Sequence, residues 1–213
     1  MSPQAKKPTK ISHETHLKWK GHGEKEERSS FLILCEGKTE KGYFSGMRSR
    51  RGPQIDVDIA KGDHVSAVRE AVSRVSDEYD EIWCVLDTEL NATLATAMRR
   101  EARKGDGRVR LGLSTPCFEF WLILHHADWA KPFQSADAAK KKLKNVLPSW
   151  NEGNTRFADF ADGVDGACER AQKLAPGGED EEGAPKNPST GVWQLVESIQ
   201  ADSKQAGPES LCT

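Results

Sequence analysis

The chain has 213 residues, a formal net charge of -2, 36% hydrophobic residues and 30% charged residues. That balance predicts a soluble globular protein of one domain, or one domain with a small extension, able to bury a core without disulfides or structural metals. It excludes a polycation, so any contact with nucleic acid needs a local basic surface.

The five cysteines, Cys35, Cys84, Cys117, Cys168 and Cys212, are widely spaced and form no Cys-x-x-Cys pair. This argues against a zinc ribbon or redox motif and for small core thiols in a reducing compartment. The first residues, MSPQAKKPTK, lack an apolar signal core, and no apolar run is long enough to span a membrane. The sequence therefore points to the cytoplasm.

In chain order, residues 1–28 are lysine-rich without apolar periodicity and read as a flexible basic arm. FLILC (31–35) is a buried-strand run, and KTEKGYFSGMRSR after it places Tyr43, Phe44 and Met47 on one helical face. QIDVDIA (54–60) alternates like a strand. HVSAVREAVSRV follows, with Val65, Val68, Val72 and Val75 at helical spacing and Asp63 as cap. EIWCVLD (81–87) is a second buried run, 91–104 is helical, and VRLGLS (109–114) is a strand. Pro116 suits the first helical position of CFEFWLILHH.

Strands alternating with helices predict a mostly parallel four-stranded sheet flanked by helices, occupying residues 29–127. Residues 128–200 read as a helical C-terminal extension with two amphipathic helices, a flexible acidic loop near 175–189 and a last helix from Thr190. The remainder, 201–213, reads as a disordered tail.

The stretch Glu36-Gly37-Lys38-Thr39-Glu40 invites two readings. A phosphate-binding loop needs a second glycine five residues before Gly37, but that position is Leu32, inside the apolar run. The acidic reading is stronger. In an open parallel sheet, ligands gather beyond the carboxyl ends of the strands. Glu36 ends the first strand, Asp87 ends the third, and Glu89 shares Asp87's face if the backbone stays extended.

Three converging carboxylates fit a hard divalent cation, Mg2+ or Mn2+, in preference to zinc. Such a site favours phosphodiester chemistry. Glu36 is then a ligand or general base, Lys38 a stabiliser of phosphate charge, and Glu40 a supporting acid that the helix dipole alone also favours.

The segments CEGKTEKGYF, VLDTE, STPCFEFWLILHH and NPST-x-VWQLV, in that order, resemble the RloB-like family of bacterial phage-defence proteins. The resemblance covers residues 28 to 200. It implies a Toprim-like, Rossmann-type fold and an AAA/ABC-type ATPase partner (RloA-like). Glu36 becomes the first-strand glutamate, Asp87 the first acid of an Asp-x-Asp motif, and Glu119 a further site residue.

Three positions depart from the family pattern: Glu89 replaces the second aspartate, Lys41 a proline and Thr115 an asparagine. The extra methylene of Glu89 shifts its carboxylate by about 1 Å. His125 lies about 120° round the helix from Glu119 and so does not share its face. The NPST segment reads as the cap of the last helix.

Two functions follow. One is a metal-dependent nuclease subunit in an anti-phage (abortive-infection) system, cutting DNA or RNA under control of the ATPase, within a complex that accommodates a homo-oligomer. The other is a catalytically degenerate binding or sensor module that docks on the ATPase and regulates it.

Overall fold

A computed structural model describes residues 28–176 and 184–205. Residues 1–27 of the arm expected at 1–28, the acidic centre of the loop at 177–183, and 206–213 of the tail expected at 201–213 lie outside the described residues; 201–205 are instead the last residues of the final helix. The elements are β1 (Ser30–Cys35), α1 (Lys38–Gly46), β2 (Gln54–Ile59), α2 (His64–Ser73), β3 (Glu81–Asp87), α3 (Ala92–Ala102) and β4 (Val109–Thr115). They continue with α4 (Glu119–His126), α5 (Ala136–Val146), α6 (Val164–Leu174), β5 (Ser189–Thr190) and α7 (Val192–Gln205).

The sheet order is β2-β1-β3-β4-β5, with β1 to β4 parallel and β5 antiparallel to β4. Strand side chains alternate between two cores, as a period of two requires. Phe31, Ile33 and Cys35 face one side with Ile55, Val57, Trp83 and Val85, and they meet α1, α4, α6 and α7 there. Leu32, Leu34, Ile82, Cys84, Leu86, Leu111 and Leu113 face the other, under α2 and α3. Both faces are covered, which is why the strands read as continuous apolar runs.

The first core does not stop at residue 127. It runs from Phe31 through Trp121 to Leu143, Trp150, Phe160 and Ile199, so the C-terminal helices pack into the same hydrophobic interior as the sheet. Among the described residues, no helix is long and apolar enough to cross a membrane.

Three local expectations need correction. The sheet has five strands, because the NPST segment adds β5 to the edge of β4, pairing Thr190 with Ser114 and Ser189 with Thr115. Its capping role survives in part, since Val192 donates its amide to Thr190 Oγ1 at 3.3 Å. Pro116 does not open a helix. The Thr115–Pro116 bond is cis, and α4 starts at Glu119 because the Phe118 amide is turned to Asp87 instead.

Candidate metal centre

The chain runs from β1 out to β2, then crosses back over β1 to β3. The strand order therefore reverses between β1 and β3, and a crevice opens beyond their carboxyl ends. Glu36 and Asp87 stand at those two ends. They are tied directly, with the Asp87 amide donating to Glu36 Oε1 at 2.8 Å. Asp87 Oδ1 accepts the Phe118 amide at 2.8 Å, which fixes the start of α4 and brings Glu119 to the same place.

Glu40 arrives from the first turn of α1, its Oε2 accepting the Gly37 amide at 3.1 Å. This is the reciprocal half of a capping box; glycine has no side chain to supply the other half. A cavity of about 330 Å3 results, lined by Glu36, Lys38, Glu40, Asp87, Glu119 and Lys140, and closed by the turn at Glu152 and Gly153.

The wall at Glu152 is anchored twice. Thr39 Oγ1 donates to its carbonyl at 3.1 Å, and Lys140 Nζ donates to its Oε1 at 2.6 Å. Lys140 Nζ also lies 3.9 Å from Glu119 Oε1.

Burial and mutual repulsion dominate the electrostatics. Burial pushes the Asp87 carboxyl well above its ordinary range, and the charges of Glu36, Glu40 and Glu119 push it further. Burial likewise raises Glu36, opposed by the Asp87 amide and by His64. Glu40 is raised to about 7, by burial first and then by Glu119 and Glu36.

These acids share one low-dielectric crevice, where an added positive charge is strongly favoured. The carboxylates, not the thiol, suit a small hard divalent cation. Ligand oxygens of Asp87 and Glu119 lie within 4.8 Å of each other, with the Cys117 sulfur beside them, and Glu36 is bound to the Asp87 amide.

The structure brings Glu36, Lys38, Glu40, Asp87 and Glu119 together. It does not bring Glu89 with them. The extended backbone that would put Glu89 on Asp87's face is absent: φ is 50° at Glu89 and 60° at Leu90. Two successive left-handed residues without glycine are strained, and the turn leaves Glu89 exposed. Its charge still reaches Glu36. Glu119 occupies the place beside Asp87 that the sequence assigned to Glu89.

His125 is a core residue. Its Nε2 meets Tyr43 Oη at 3.0 Å and its Nδ1 meets the Trp121 carbonyl at 2.9 Å. Burial lowers it to about 4.

Four site residues were not read from the sequence. His64 opens α2 just beyond β2, and its Nε2 lies 2.9 Å from Glu36 Oε1, although not along a hydrogen-bonding direction. The strand-end rule that found Glu36 also covers His64. Cys117 looks like a core thiol, and it is one, but its sulfur borders the acids. Lys140 and Glu152 come from the extension, and no strand pattern signals them.

A family model described as RloB-like protein matches residues 31–199. The chain belongs to the RloB-like family. No curated protein and no solved structure matches it. In this RloB-like chain the matched span includes every residue that lines the cavity, so the family relationship extends over both the sheet that bears the acids and the helices that close around them.

Proposed function

We propose that this chain is the metal-dependent hydrolase subunit of an RloB-type anti-phage system, cleaving phosphodiester bonds of DNA or RNA under control of an ATPase partner. One observation carries the reading. Glu36, Glu40, Asp87 and Glu119 reach one cavity from three separate segments of the chain, at the sheet's switch point. Such a convergence costs desolvation and repulsion that no hydrophobic gain explains, and a bound cation offsets both.

Asp87, Glu119 and Glu36 are the residues that would hold Mg2+ or Mn2+. The cation would supply Lewis-acid polarisation of a phosphate oxygen and acidification of a nearby water. The chain's own residues do the rest. Glu40, whose carboxyl is raised above its ordinary range by burial and by Glu119 and Glu36, lines the same cavity, where it can take a proton from the attacking water or return one to the leaving oxygen. Lys38 and Lys140, which both line the cavity, steady the charge of the phosphate. The Asp87 and Phe118 amides hold Glu36 and Asp87 in fixed orientations.

The test uses purified protein with its ATPase partner, Mn2+ and end-labelled single-stranded DNA and RNA. Asp87→Asn abolishes cleavage while leaving the far-ultraviolet spectrum intact and melting cooperative at a temperature no lower than the parent's. An Asp87→Asn protein that cuts at the parental rate refutes the assignment. A folded parental chain that cuts neither strand and gives no heat with Mn2+ is instead a regulatory module of the ATPase.

A further inference from the structure

Between Lys131 and Leu147 the sequence carries five lysines (Lys131, Lys140, Lys141, Lys142, Lys144) and one aspartate (Asp137), in a chain whose net charge is -2. Helix α5 occupies most of this stretch. It buries Ala139 and Leu143, which fixes its rotation about its axis. At about 100° per residue, Lys144 stands roughly 40° and Lys141 roughly 100° round from Lys140, away from the buried side.

Lys141 and Lys144 are exposed, and Lys140 lines the carboxylate cavity. Lys142 belongs elsewhere, its ammonium lying 4.3 Å from the centre of the Trp129 ring. Asp137, in the first turn, is the acid on the same arc. The three lysines therefore form a strip that starts at the cavity, where Glu152 holds the Lys140 ammonium, and runs past Asp137 over the outer face of α5.

Lys140 and Lys144 are separated by about 6 Å along the axis. A stacked nucleic-acid strand advances about 3.4 Å per phosphate, so the strip spans roughly two nucleotides.

We propose that Lys140, Lys144 and Lys141 form a phosphate track that carries the strand next to the scissile bond out of the cavity and over α5. This rests on the hydrolase reading above and names the surface by which that site takes its substrate. A strand with one phosphate among the acids must lay its neighbours across a rim, and α5 is a lysine-bearing wall of that rim. The lysines are also what lets a site rich in carboxylates attract a polyanion. An acidic protein surface would match the lysines outside but carries no phosphodiester for the carboxylate site at the strip's inner end.

Counterion release makes the track measurable. In an Asp87→Asn background, with chelator present so that binding is read without cleavage, a fluorescent single-stranded oligonucleotide is titrated by anisotropy from about 50 to 200 mM salt. Adding Lys141→Gln and Lys144→Gln should weaken binding and flatten the slope of log K against log salt by about 1.4, two contacts at about 0.7 each.

The control is Arg103→Gln with Lys104→Gln. These exposed residues lie in the turn leading into the amino end of β4, at the opposite end of the strands from the cavity, and should leave the slope unchanged. An unaltered slope in the Lys141/Lys144 variant refutes the track, whatever the cleavage assay shows. Loss of ATPase association with an unaltered slope assigns the strip to a protein interface and also overturns the proposal. A flattened slope in a chain that never cuts sustains the track and sinks the hydrolase reading alone.

Discussion

Glu40 offers the sharpest test of the site's electrostatics. The residue is 7% exposed, so solvent does little to soften its interactions. Its carboxyl is raised from an ordinary 4.5 to about 7 by burial and by the charges of Glu119 and Glu36. A carboxyl raised in the folded state binds its proton more tightly there than in the unfolded chain. Its contribution to stability is therefore present below pH 4.5 and is lost as pH rises through about 7.

At about 1.4 kcal/mol for each tenfold change in proton affinity, the loss between pH 5 and pH 8 is about 2 to 3 kcal/mol. Glu40→Gln removes the charge, and the amide oxygen can still accept the Gly37 amide. In chelator, urea denaturation should show the variant gaining about 2 to 3 kcal/mol on the parent when the pH is changed from 5 to 8, equivalent to roughly 5 to 10 °C in melting temperature. Mn2+ should narrow that gap, because it relieves repulsion that only the parent suffers in full. A stability difference between variant and parent that stays the same from pH 5 to pH 8 would show that the crevice does not concentrate negative charge.

His125 should titrate near pH 4; its ring nitrogens, followed by NMR, should therefore still be those of a neutral imidazole at pH 5.5. Because its pKa is lowered, its share of stability is complete above about 6.5 and is lost as pH falls towards 4, and a midpoint above 6 would refute the buried pair with Tyr43. Gly42→Ala should destabilise the protein by about 1 to 3 kcal/mol, since an added methyl would overlap the Thr155 carbonyl. Helix propensity alone predicts a gain of up to about 1 kcal/mol, so chemical denaturation decides by sign. Thr39→Val, which removes the bond to the Glu152 carbonyl, should cost about 1 kcal/mol and weaken Mn2+ binding by calorimetry. Burial, with the charges of Glu119 and Asp87, pushes the Cys117 thiol up. Mass spectrometry should find it unalkylated by iodoacetamide in native protein under conditions that fully modify an unfolded control.

The parallel core was legible because β1 and β3 are apolar runs of strand length separated by amphipathic helices, a pattern that leaves few topologies. β5 was not, since two residues carry no period. The strand-end rule located Glu36 and Asp87, and the family motif located Glu119. Glu89 failed for a local reason: extended geometry was assumed across Asp87–Leu90, whereas the chain turns left-handed there. His64 was hidden by its ordinary role as a helix-start residue. Lys140 and Glu152 were hidden by distance, since nothing in a helix some 50 residues downstream of Asp87 says which sheet edge it will roof.

The cavity's walls come from residues as far apart in the chain as Glu36 and Glu152, and the interior behind them is completed only by Ile199. Folding must therefore bring distant segments of the chain into one interior before the cavity is walled on every side. A molecule cut short of Ile199 would keep Glu36 and Asp87 at their strand ends but lose part of the interior that backs them.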